Sequence, residues 1–147
     1  MRLASRILVQ LKSTYDGTAW HGTPLRRMLD GIDDAKANAH PIANTRSIAE
    51  LTAHVAAWVE IVERRARGEE FEVTPEMDFP SAGAGSWSDL VSRLERAYAR
   101  LVETVSGMSD EALDAHVPGK SYTQEHMLLG LAHHGTYHAA QIAVLKK

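Results

Sequence analysis

The sequence predicts an all-α protein, a four-helix bundle with an additional short helix and break near its N-terminus. Three observations predict it. Apolar residues recur at steps of three and four in four separate stretches. Helix-starting signals, a serine followed three residues on by an acid or an amide, stand before two of them. The one alternating segment, Phe71-Glu72-Val73-Thr74, has no second strand with which to pair.

The first helix runs from about Leu3 to Ser13, with Leu3, Ile7, Leu8 and Leu11 on one stripe. Tyr15-Asp16-Gly17 interrupts it. Thr23-Pro24 restarts a helix, threonine as N-cap and proline at the first helical position, and Leu25, Met28, Leu29 and Ile32 follow at helical spacing. Asn38 to Asn44 contains Pro41 and reads as a connector. Ser47-Ile48-Ala49-Glu50 is a capping box that opens the next helix, whose stripe is Ile48, Leu51, Val55, Trp58 and Val62. Gly68 stops it, with Arg64, Arg65 and Arg67 favourable in the last turn. Glu69 to Gly85, holding Pro75 and Pro80, reads as a long covering loop. Ser86 or Ser88 caps the third long helix, whose inward face is Leu90, Leu94, Ala97, Leu101, Val105 and Met108. Ser109-Asp110-Glu111 opens a short extra turn. Pro118-Gly119 ends that region, and Ser121-Tyr122-Thr123-Gln124 reads as a second capping box for a final helix reaching close to Lys147.

Composition narrows the function classes. A chain of 147 residues suggests one domain, residues 1–147, large enough for a hydrophobic core. Hydrophobic residues at 44% and charged residues at 24% exclude general disorder. A net charge of −3 supplies no basic field for nucleic acid or anionic lipid. The absence of cysteine excludes disulfides, thiolate metal ligands and a cysteine nucleophile, and it suits a reducing compartment. No apolar run approaches the roughly 20 residues of a membrane span. Ile7-Leu8-Val9 is broken by Gln10 and Lys12, with no signal-peptide pattern around it. The expectation is a cytoplasmic protein with neither a membrane nor a nucleic-acid partner.

Eight histidines are the unusual feature. In the final helix Met127, Leu131, His134, His138, Ile142 and Leu145 share one stripe, so two histidines interrupt a core-directed face. Four residues apart, both imidazoles point the same way, a spacing that suits two ligands on one metal ion. His54 interrupts the inward side of the Ser47-capped helix in the same manner, beside Leu51, Val55 and Trp58. Three neutral imidazoles meeting in a dry interior are unfavourable unless something satisfies their nitrogens. A divalent transition metal does so, and imidazole suits zinc, nickel, iron or copper. Three protein ligands leave a position open for water or substrate. Taken singly, each histidine reads equally as a hydrogen-bonded core residue.

The other candidates are weaker. His134-Gly135-Thr136-Tyr137-His138 lacks the glutamate of H-E-x-x-H. Pro118-Gly119-Lys120-Ser121 resembles the end of a phosphate loop, but Asp114 stands where the first glycine belongs, so it reads as a turn. Neither Ser86 nor Ser88 lies in G-x-S-x-G. Gln141, one turn from His138, can reach a metal-bound water or orient a ligand, or be a partly exposed polar residue. His21 can line the mouth of a site or be a locally bonded loop residue. His133 projects about 100° away from His134. His126 misses the inward stripe, and His40 and His116 fall in connectors. Trp20, Trp58 and Trp87 serve packing or shape a pocket.

Ala19-Trp20-His21-Gly22, Pro41-Ile42, His54-Val55-Ala56-Ala57-Trp58 and the stretch from His134 through Gln141-Ile142 together resemble the DinB/YfiT-like family of metalloenzymes. The closing His138-Ala139-Ala140-Gln141-Ile142 is similar to that family's H-R-G-Q-I ending, with Ala139-Ala140 in place of Arg-Gly. The resemblance covers nearly the whole chain in the same order. It implies an up-down-down-up bundle of four helices and assembly as a homodimer. It also implies a divalent transition metal, nickel or zinc foremost with iron or manganese as further options, held by His54, His134 and His138.

The function expected is a metal-dependent enzyme, transferase- or hydrolase-like, acting on a small-molecule substrate. By analogy with the wider superfamily it includes thiol-dependent transfer, with a low-molecular-weight thiol as partner. The alternatives are a non-catalytic metal-binding module and a dimeric interaction or stress-related protein. A haem bundle fits poorly, because axial histidines come from facing helices.

Overall fold

The computed structural model describes residues 2–82 and 85–147. Gly83, read above as part of the long loop, lies outside the described residues. Among the described residues the chain forms eight helices and no strand, only two isolated bridges, Ala19 with Gly22 and His116 with Thr123. Four long helices make the bundle: α1 (Leu3–Tyr15), α4 (Ile48–Ala66), α6 (Trp87–Ser106) and α8 (Gln124–Leu145). The short ones are α2 (Leu25–Met28), α3 (Asp34–Asn38), α5 (Pro75–Asp78) and α7 (Asp110–Asp114). No helix among the described residues is long and apolar enough to cross a membrane.

Cap chemistry sets the registers. Ser47 and Glu50 form the expected capping box: Ser47 Oγ accepts the Glu50 N–H at 3.1 Å and Glu50 Oε2 accepts the Ser47 N–H at 2.7 Å. Ser86 does the same with Asp89, at 3.1 and 3.0 Å, which makes Ser86 rather than Ser88 the cap of α6. Gly68 takes a φ of +92°, a conformation glycine adopts without steric penalty, and ends α4 as expected. Ser109 caps α7.

Four expectations are corrected. The cap of α8 is Thr123, accepting the His126 N–H at 3.2 Å, not Ser121. Hydrogen bonds from Val117 N–H to Tyr122 O and from Gln124 N–H to Ala115 O, 2.9 Å each, hold the chain extended through residues 122–123. Gln124 instead turns its side-chain amide to the Arg65 carbonyl at 3.1 Å, an additional donor on an oxygen that already accepts the Gly68 N–H at the end of α4. The helix after Thr23 starts one residue later, with Pro24 at the N-cap position and no side-chain cap. The first helix continues to Tyr15 because Tyr15 stacks on Tyr98 of α6, ring centroids 3.7 Å apart. Finally, the long loop contains α5, capped by Thr74 with Pro75 at its start. The segment before the Asn38–Asn44 connector likewise contains α3, capped by Asp33.

α4 packs against α6 and α8, and α1 lies against α8 and α6. Glu60 pairs with Arg93 at 2.8 Å and Glu63 accepts from Thr104 at 2.9 Å, so α4 and α6 run in the same sense. The Arg65–Gln124 bond at one end and the His54–His134 contact farther along set α8 antiparallel to α4. Leu94, Leu101, Leu128 and Ile142, almost wholly buried, anchor the core. Leu94→Ala is expected to cost about 3 kcal/mol through the cavity it leaves, read as a lower urea midpoint at unchanged m-value. Ser47→Ala, which removes one cap acceptor, is expected to cost about 1 kcal/mol in the same assay.

Candidate metal centre

The seam between α4 and α8 brings the three expected histidines together. His54 is 5% exposed and His138 is 6% exposed; His134 is half-buried. His134 Nε2 lies 3.0 Å from His54 Nε2 and 3.1 Å from His138 Nε2. One nitrogen from each ring lies within 4.8 Å of the others, an arrangement that can hold a metal ion. Nitrogens that share an ion at about 2.1 Å must lie within about 4.2 Å of one another, and both measured separations satisfy this.

The protons of this cluster do not balance. His54 Nδ1 meets the Asp78 carbonyl oxygen at 2.6 Å, and a carbonyl only accepts, so Nδ1 carries the proton and Nε2 a lone pair. His138 Nδ1 likewise donates to Gln141 Oε1 at 2.6 Å, leaving its Nε2 a lone pair. Both lone pairs face His134 Nε2, which has at most one proton to offer. One of the two N···N contacts is therefore left without a hydrogen, and His134 Nδ1 is buried without a hydrogen-bond partner among the described residues. A cation at the meeting point satisfies all three nitrogens at once, so the residues present fit a metal.

The surrounding side chains hold the rings in place. Phe79 stacks on His54, centroids 4.0 Å apart and planes 12° from parallel, and Arg46 lies 4.5 Å above the Phe79 ring. Asp78 Oδ1 accepts the Trp58 indole N–H at 2.7 Å. Beside the rings is a cavity of about 500 Å³ walled by Trp58, Val62 and Phe79 on one side and Met127, Leu131 and Tyr137 on the other. Positions 54, 58 and 62 share one face of α4, and 127, 131, 134 and 138 one face of α8, so helical periodicity alone aligns cavity and cluster. Asp78 also lines this space.

Other expectations fare differently. Gln141 is bonded to His138 and orients it. His21 sits on the surface, 3.4 Å from Thr136 Oγ1, and does not line the cavity. His40 is exposed and pairs with Glu50, while His116, His126 and His133 are exposed. Trp58 lines the cavity and Trp87 is buried, but Trp20 is fully exposed at a turn and shapes neither core nor pocket. Sequence reasoning missed Asp78 and Phe79. The Thr74-Pro75 pair was a legible helix start, but nothing local marks a carbonyl three residues on as the partner of His54.

Burial, with His138 and His54 close by, pushes His134 down to about 4 from 6.5. Burial also lowers His138, against the raising effect of its bond to Gln141. Neutral rings are the form a metal requires. Between pH 6.5 and about 4 the unfolded chain binds the proton that folded His134 refuses, so stability falls as pH falls. The metal-free protein is expected to keep this contribution above pH 6.5 and lose it progressively toward pH 4, measured as urea midpoints across that range. His134→Gln is expected to flatten the decline.

Searches of curated proteins and of solved structures returned no match. A family model, that of the DinB superfamily, matches residues 18–142. That stretch takes in all of α4 with His54, the Asp78 segment, and α8 as far as Ile142 with His134 and His138. Matched over most of its length, the chain belongs to the DinB superfamily.

Proposed function

We propose that the chain is a metal-dependent enzyme in which His54, His134 and His138 hold one divalent transition-metal ion, nickel or zinc. The observation that carries this reading is the convergence of three Nε2 atoms that protons cannot satisfy, at the edge of a cavity large enough for a small molecule. A sealed cluster would suit storage or a structural role; a ligand-sized space beside the rings suits turnover. Membership of the DinB superfamily supports the same reading.

When bound, the ion acts as a Lewis acid or lowers the pKa of a coordinated water or thiol. The chain's own groups supply the rest. Val62, Phe79, Met127 and Leu131 keep water away and bind the apolar part of a substrate. The Asp78 carboxylate, held by the Trp58 indole, is a fixed acceptor facing that space. Burial holds His134 and His138 toward the neutral form, which keeps their lone pairs for the ion. A low-molecular-weight thiol is the co-substrate this reading favours by analogy with the wider superfamily, its sulfur being a soft donor for such an ion.

Elemental analysis of protein purified without a histidine tag is expected to find one nickel or zinc per chain. His54→Ala, His134→Ala and His138→Ala should each lower retention, and the triple variant should abolish it. Because the metal binds only the folded form, a chelator should lower the Tm of the wild type and leave that of the triple variant unchanged. Variants that all bind as the wild type does would sink the assignment. Turnover of small electrophiles with added thiol, lost on chelation, would separate an enzyme from a metal-binding module.

A further inference from the structure

The three histidines differ in what lies behind them. A neutral imidazole that binds a cation through Nε2 must carry its proton on Nδ1. His54 already does so, with the Asp78 carbonyl oxygen 2.6 Å away as acceptor. That carbonyl is itself fixed: α5 is capped by Thr74, starts at Pro75, and is tied to α4 by the bond from Trp58 to Asp78 Oδ1. His138 does so too, with Gln141 Oε1 at 2.6 Å on the same helix. His134 does not. Its Nδ1 is buried with no partner among the described residues, while its Nε2 has two lone pairs within 3.1 Å to which it can donate.

We propose that the three are unequal ligands: Asp78 and Gln141 are positioning residues that preset His54 and His138 as anchors, and His134 is the labile third ligand, the one an incoming small molecule displaces. The proposal rests on the metal reading above. For His134 to bind, the proton on Nε2 leaves for solvent and another is taken up at Nδ1, where it is buried without an acceptor. The proton count is unchanged, but binding removes the hydrogen bond from Nε2 to a neighbouring ring and turns the unpartnered Nδ1 from a buried acceptor into a buried donor, a penalty the two anchors do not bear. Release of His134 restores its hydrogen bond to a neighbouring ring only if that ring lets go of the ion, so the free His134 ring is expected to swing toward the cavity it borders.

Two measurements test this. In metal-free protein with ¹⁵N-labelled histidine, long-range ¹H–¹⁵N spectra above pH 7 are expected to show the Nδ1–H tautomer at His54 and His138. The Nε2–H tautomer at either ring overturns the presetting. Zinc dissociation constants, from competition with a chromophoric chelator, are expected to rise about 10–100-fold for Gln141→Ala and to stay near the wild-type value for Gln141→Glu, which keeps an acceptor. His134→Ala is expected to weaken zinc at least about tenfold less than His54→Ala or His138→Ala. An equal or larger loss for His134→Ala overturns the ranking alone. A wild-type protein that takes up neither zinc nor nickel overturns the proposed function, and the ranking with it.

Discussion

Three ring nitrogens converge on one point with one proton among them, and the rest of the site is built around that imbalance. Two neighbours, the Asp78 carbonyl and the Gln141 amide oxygen, fix the proton positions of His54 and His138. A ring nitrogen carries either a hydrogen or a lone pair, so His134 Nε2 cannot donate to one neighbour and accept from the other; with both neighbours presenting lone pairs, its single hydrogen serves only one of them. The frustration is local and directional, and a small cation of positive charge is the species that relieves it.

The bundle tolerates this because its stability is generated elsewhere. Leu94, Leu101, Leu128 and Ile142 are sealed within the core, and the ends of α4 and α6 are closed by reciprocal capping boxes. The histidines occupy the rim of the α4–α8 seam, where an apolar cavity replaces side-chain packing. Desolvation there holds His134 in its neutral form, which weakens the fold in acid yet keeps a lone pair ready at ordinary pH. A site that must accept a ligand is in this way separated from the residues that hold the helices together.

Much of this was legible in the sequence, and the exceptions have physical reasons. The stripes of α4, α6 and α8 follow from periodicity, and a histidine at an inward position is visible as a break in an apolar stripe. The Ser47 box is local, so four residues sufficed to read it. Ser121 presented the same four-residue pattern and was not a cap, because bonds to Ala115 and Val117 hold that segment extended and Gln124 serves α4 instead. Trp20 carried the bulk of a core residue but sits on a turn with nothing over it. Asp78 bonds His54 through its backbone oxygen, which leaves no mark on residue identity, while its carboxylate holds Trp58.

That last point bears on how the site keeps its geometry. A carbonyl partner depends on the path of its segment, and at Asp78 the side chain helps to hold that path, its carboxylate accepting from Trp58 and lying 3.4 Å from His54 Nδ1. What has to be retained at residues 74–79 is therefore the cap at Thr74, the fixed φ of Pro75 and the anchor of α5 on Trp58, each of which sets the path rather than the chemistry. Gln141 is the opposite case: its oxygen is a side-chain atom on a helix whose register is already fixed, so the chemistry of position 141 itself carries the contact. The two anchors are thus supported in different ways, one by the shape of a loop and one by the identity of a single residue.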